Sequence, residues 1–248
     1  SANSDILLYY TNENSNLYEK TAMQGKARTA NQIGLASTKI EIVSPNGVVT
    51  ENNMSGYNGT KTISNTETET KVDTINVNDE AKEVTIGGTI VNNYANSIEN
   101  VFVLGRLPFS GNVQIDGTEE LGSNFTMSMK EKISVSGIDE GKVKIYYSTN
   151  GEATKDLINS ENAWTENPSD LSKVKSYLIV PSGEIRTGAQ FSFTYKAELP
   201  ENLNYDNSSY TTYKVYYDNK LEDATLGESK VAGTIGLTTG EAPAISVE

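Results

Sequence analysis

Residues 83–109 read EVTIGGTIVNNYANSIENVFVLGRLPF, and their pattern decides the fold. Val84, Ile86 and Ile90 share one parity, with Gly88 between them, while Thr85, Gly87 and Thr89 share the other. Successive side chains of a strand point to opposite faces, so this period of two marks a half-buried strand. Asn92-Asn93-Tyr94-Ala95-Asn96-Ser97 breaks it with side chains that bond to nearby backbone and tolerate turns. Apolar residues resume at Ile98 and Val101-Phe102-Val103-Leu104, and Leu107-Pro108 ends the run because proline cannot donate to a sheet ladder. The stretch predicts an arch or hairpin at the centre of an antiparallel sandwich.

Outward from it the same alternation recurs. Phe191, Phe193, Tyr195, Ala197 and Leu199 alternate with Ser192, Thr194, Lys196 and Glu198, and Pro200 stops them. The first set is expected inward, and Lys196 and Glu198 outward. Val143, Ile145 and Tyr147, then Tyr213, Val215 and Tyr217, then Val231, Ile235 and Leu237 continue the series. Residues 150–175 interrupt it. There 153–159 and 169–174 each predict a turn or two of helix, the second capped by Ser169 or Asp170. About ten strands with little helix make an all-β, antiparallel, Ig-like sandwich with an insertion that carries short helical turns. Residues 51–82, rich in Asn, Thr, Glu and Ser, look like a connection, which divides the chain into an N-terminal β lobe over 1–80 and a sandwich over 81–248.

Composition excludes several functions. The chain holds 20 Lys and Arg against 33 Asp and Glu, a formal net charge of −13. Nucleic acid and anionic membrane surfaces both demand the opposite sign. No apolar run is long enough to insert in a membrane as a helix. The absence of Cys and His removes disulfides, thiolate or imidazole metal sites and the usual nucleophile–base pairs. The reading is therefore non-enzymatic.

An internal recurrence bears on organisation. Leu8-Tyr9-Tyr10 matches Val215-Tyr216-Tyr217, Ile33-Gly34-Leu35 matches Ile235-Gly236-Leu237, and Lys39-Ile40-Glu41-Ile42 parallels Ala244-Ile245-Ser246-Val247. Tyr10 to Tyr217, Ile33 to Ile235 and Ile40 to Ile245 are separations of 207, 202 and 205 residues. Three ordered matches at nearly constant spacing fit tandem domains rather than a solenoid. Residues 1–43 are then expected to be the closing strands of a preceding unit.

The elements Ile90-Val91-Asn92-Asn93, Val101 to Leu107-Pro108, Gly188, and Phe191 to Leu199-Pro200 resemble the conserved Ig-like repeat domain found in tandem on bacterial surface proteins, mostly Gram-positive. The resemblance covers residues 83–200 and is interrupted by an insertion over 110–180. It implies an extracellular, cell-wall-associated stalk or adhesin segment whose partners are neighbouring repeats of the same chain.

Candidate sites are few. Asp218, Asn219, Glu222 and Asp223 are an oxygen-rich group that admits calcium, as are Asp206 with Asn207 and Asp139 with Glu140. None matches the twelve-residue calcium loop, so solvated turns are the favoured reading. The alternative to a spacer is a module that binds a glycan or a host matrix protein. It predicts aromatics gathered on one face, for which Tyr57, Tyr94, Trp164, Tyr205 and Tyr210 are the candidates.

Overall fold

The structure is a computed structural model that describes residues 3–7, 37–41, 47–75, 83–115, 117–221 and 224–241. The chain forms two compact units, Ser1–Pro45 and Asn46–Glu248. In the first, β1 (Asn3–Leu7) and β2 (Ser37–Glu41) pair antiparallel as a sheet of their own. The second holds β3 (Val48–Ser55), β4 (Thr62–Asn65), β5 (Lys71–Thr74), β6 (Glu83–Asn92), β7 (Ile98–Arg106), β8 (Ser128–Met129), β9 (Ser134–Ser136), β10 (Val143–Ser148), β11 (Ser176–Pro181), β12 (Gln190–Glu198), β13 (Ser208–Lys220), β14 (Thr225–Val231) and β15 (Ile235–Thr238).

Thirteen strands make two sheets. Sheet I runs β4-β3-β6-β12, with β8 and β9 on the far side of β12. Sheet II runs β10-β11-β7-β13, with β14 and β15 each pairing β13 and β5 added to β15. Only the β15–β5 pairing is parallel among the described strands. The expected all-β sandwich is thus the fold. Its central feature is an arch, because β6 lies in sheet I and β7 in sheet II. The Asn92 side chain builds the bend: its Nδ2 donates to the carbonyls of Asn96 and Ile185, both at 2.9 Å, and its Oδ1 accepts from the Tyr94 N–H.

The predicted parities hold for β6, β12 and the 213–217 stretch of β13, whereas Val231, expected to continue the series, is exposed at the end of β14. Val84, Ile86, Ile90, Phe191, Phe193, Tyr195 and Ala197 are buried, facing Val101, Val103, Tyr177, Ile179, Tyr213, Val215 and Tyr217 from sheet II. Lys196 and Glu198 lie on the outer face, where Lys196 and Lys130 both pair with Glu83. Gly88 is required by close approach, since a Cβ there would lie 2.6 Å from the Tyr213 ring and 2.7 Å from that of Phe193. Tyr147 turns inward, and its hydroxyl accepts the Ile133 N–H at 2.9 Å, as a buried phenol at a core edge should.

Two expectations need correction. The boundary near residue 80 falls inside the sandwich, because β3 pairs with β6 from Val48↔Asn92 to Ser55↔Thr85, and β5 joins sheet II. The strand leaves little trace in the sequence because its inward positions are Val48, Thr50, Asn52 and Met54, half of them polar. Asn52 belongs there because its Nδ2 donates across the sandwich to the carbonyls of Thr211 (3.1 Å) and Gly233 (2.9 Å). Residues 153–159 form turns rather than helix, and single 3-10 turns occupy Glu140–Lys142, Ser160–Asn162 and Leu171–Lys173. The last is capped by Asp170, as expected, whose carboxylate accepts from Ser172 N–H.

The buried tyrosines predict an alkaline transition. Burial, with Asp73 as hydrogen-bond acceptor and neighbouring charge, pushes the Tyr57 phenol up to about 12. Burial likewise raises Tyr177, Tyr195 and Tyr213. A phenol whose folded pKa exceeds the unfolded value of about 10 stabilises the fold fully below that value and loses the contribution as pH rises through the folded pKa. Phenolate absorbance should therefore rise in two stages, the second coinciding with loss of tertiary circular dichroism. A single smooth titration near the free-phenol value, with the fold intact, would show these rings to be accessible.

Candidate functional site

The insertion expected over 110–180 is in large part sheet, with β8 and β9 on β12 and β10 and β11 extending sheet II beyond β7, and only its loop around residues 150–164 lies against the outer face of sheet II. Arg106 Nη1 donates to the Ala153 carbonyl (2.8 Å) and to Ser176 Oγ (2.9 Å), and Ser176 Oγ donates in turn to the Asn150 carbonyl (2.7 Å). Leu104, Leu178 and Ala153 are buried outside the main core cluster. One residue knots the loop: the Asn162 amide bonds to Thr154 N, O and Oγ1 and to the Asp156 carbonyl. Trp164 Nε1 adds a bond to the Thr154 carbonyl at 2.9 Å. Thr154 is thus fixed on several sides, and Lys155 follows it, exposed.

Beside this loop the β7–β13 ladder carries a bulge. Phe102 pairs with Tyr216 and Glu99 with Asp218, so Asn100 and Val101 together face Tyr217. Asn100 takes the left-handed conformation, φ 50°, which Asn adopts more readily than most non-glycine residues. Its Nδ2 then donates to Asp218 Oδ2 at 2.8 Å. The result is a trench of about 540 Å³ lined by Asn100, Phe102, Lys155, Tyr216, Asp218 and Ser229 among others. A second hollow of about 360 Å³ shares Asn100 and Phe102 and continues toward Val180, Ser182 and Glu184. The Phe102 and Tyr216 rings are cross-strand neighbours, and the Lys155 ammonium lies 5.1 Å and 5.4 Å from their centroids. A further hollow of about 430 Å³ lies by Ile138, Ile185 and Phe191.

Of the described members of the expected calcium group only Asp218 lies at the trench, and Asn219, the next residue on the strand, is buried. Adjacent strand positions point to opposite faces, so the two do not converge on one ion. Glu222 and Asp223 lie outside the described residues. Asp139 and Asn207 are engaged in turns, accepting from Gly141 N–H and Asn204 N–H. Among the described residues no group of three or more acidic side chains is arranged to hold a metal.

The loop aromatics also do not share a face. Tyr57 is fully buried, its hydroxyl donating to Asp73 at 2.9 Å. Tyr94 packs on Tyr217 with ring centroids 5.9 Å apart, and its hydroxyl is bound to Glu228 and Tyr217. Burial and the Glu228 hydrogen bond hold the Tyr94 phenol well above its ordinary pKa. Trp164 belongs to the insertion knot. Tyr205 is exposed, and Tyr210 packs over Gly236, where a Cβ would lie 2.3 Å from its ring. The trench aromatics are legible in the sequence only as the outward members of their strands, Phe102 in the apolar run and Tyr216 in the Tyr pair. Lys155 carries no signal, since its place depends on the loop knot.

No protein-family model matches the chain. No curated protein matches it either. Solved structures that overlap it include the 35 kDa C-terminal fragment of the major pilin of Streptococcus agalactiae, at 8% identity and a TM-score of 0.39. That overlap covers 79% of this chain and 57% of the pilin fragment, so the chain spans little more than half of it. The major subunit of aggregative adherence fimbriae type I from Escherichia coli overlaps at 9% identity and a TM-score of 0.32, covering 68% of this chain and 89% of that one. The collagen-binding domain of a Staphylococcus aureus adhesin overlaps at 17% identity and a TM-score of 0.29, over 63% and 88% respectively. Overlaps of this size assign neither family nor function to this chain.

Proposed function

We propose that the chain is a non-catalytic structural module of a bacterial cell-surface protein, an Ig-like unit of a tandem array that serves as a stalk or spacer outside the cell. The observation that carries this reading is the recurrence of three sequence segments at separations of 207, 202 and 205 residues. Two of the C-terminal copies, Val215 to Tyr217 and Ile235 to Leu237, lie on β13 and β15, which pair with each other. The Asn-turn and Leu-Pro signatures of the surface repeat domain support the same setting.

Surface digestion of intact producing cells tests it. Brief trypsin treatment should release peptides from residues 83–200 while cytoplasmic markers stay inside. Recovery of those peptides only after lysis would refute the surface assignment. A second reading, a ligand-binding module of an adhesin, is favoured by the trench on sheet II alone.

A further inference from the structure

The contact of Lys155 with two rings has no structural necessity, because the loop is already fixed through Asn162, Arg106 and Ser176. The face of an aromatic ring is its negative side and attracts a cation within about 6 Å of the centroid. Phe102 and Tyr216 present two such faces side by side, and Lys214 brings another ammonium within 4.7 Å of the Tyr216 ring. The bulge at Asn100 positions the Asp218 carboxylate at the same trench, whereas the Glu228 carboxylate accepts from the Tyr94 and Tyr217 hydroxyls on the opposite face. Rings beside a carboxylate are the chemistry that holds an ammonium or guanidinium group. The trench volume, about 540 Å³, leaves room beyond Lys155, while Lys214 reaches the Tyr216 ring beside it.

We infer that this trench docks a lysine or arginine side chain from a basic polypeptide partner, and that Lys155 is its internal stand-in. The net charge of −13 steers such a partner toward the molecule. Lys155 is exposed and the loop is held through Asn162, Arg106 and Ser176, so its side chain can leave the rings without moving the loop. While it occupies the rings it lowers the competent fraction and weakens apparent affinity. The inference goes beyond the spacer reading, which needs no ligand. Failure to bind would leave that reading intact, and failure of surface exposure would leave the trench chemistry intact.

The test titrates the full chain with hexa-arginine and hexa-lysine peptides by calorimetry at physiological ionic strength. Lys155→Ala should bind about two- to five-fold more tightly than wild type, the gain expected from removing one exposed cation–ring competitor. Lys132→Ala removes an equal charge from the β8–β9 connection and sets the purely electrostatic baseline. Phe102→Ala should bind several-fold more weakly. If Lys155→Ala binds no tighter than Lys132→Ala, the trench is not the docking site. A folded Phe102→Ala that binds like wild type would overturn the inference equally. The two lysine variants decide the question by themselves should Phe102→Ala fail to fold.

Discussion

Phe193→Ala is expected to destabilise the sandwich by roughly 3–5 kcal/mol, the sum of lost transfer free energy and an unfilled cavity. Phe193 is 1% exposed and stands directly opposite Gly88 on β6. Its ring lies 5.5 Å from that of Tyr177 and 5.2 Å from that of Tyr213. Collapse cannot heal the gap cheaply. Gly88 has no side chain to offer, and Tyr213 is tied through its hydroxyl to the carbonyls of Glu51 (2.7 Å) and Thr89 (3.2 Å). The melting temperature should fall by on the order of 10 °C. Lys196→Ala, on the outer face of the same strand, should change stability by no more than about 0.5 kcal/mol. Equal effects from the two variants would mean that the facing of β12 is wrong.

Asn52→Asp should cost a comparable amount, roughly 3–5 kcal/mol at neutral pH, through charge rather than volume. The substitution keeps the shape but replaces two donated hydrogen bonds by a carboxylate aimed at the carbonyls of Thr211 and Gly233. Burial without a partner raises the folded pKa of the new carboxyl above its unfolded value of about 3.9. Its stability contribution is therefore greatest below the unfolded pKa and is lost as pH rises through the folded one. Chemical denaturation of variant and wild type across acid to neutral pH should show the gap widening as pH increases. A gap independent of pH would mean that Asn52 is not enclosed between the sheets.

These two residues also mark what sequence reading reaches. Phe193 is legible because its strand alternates apolar and polar residues without exception, the pattern of a sheet with one face in the core. The same rule recovers β6 and β13, and β7 is legible as an apolar run ended by Leu107-Pro108. The rule fails at β3, where Thr50 and Asn52 take inward positions and Asn52 satisfies buried carbonyls, so that a central strand reads as a polar linker. Long-range hydrogen bonding leaves no periodic trace. The candidate site escapes the sequence for a related reason. Aromatics in loops suggest exposure, yet Tyr57 and Tyr94 fold back onto Asp73, Tyr217 and Glu228. The trench instead depends on a bulge and on a loop tied by one asparagine, and both are tertiary events.

The organisation of the chain is what the proposal turns on: residues 46–248 form one compact unit, and we propose that residues 1–45 belong to a preceding copy. The three N-proximal strands of the 46–248 unit, β3 to β5, already join the two sheets, and β6 follows within sheet I. The most direct measurement is chemical and thermal unfolding of a chain that lacks residues 1–45. A complete module predicts a soluble product with one cooperative transition and a melting temperature within a few degrees of the full chain. A molten or insoluble product would contradict it, since the missing strands would then be part of the sandwich core.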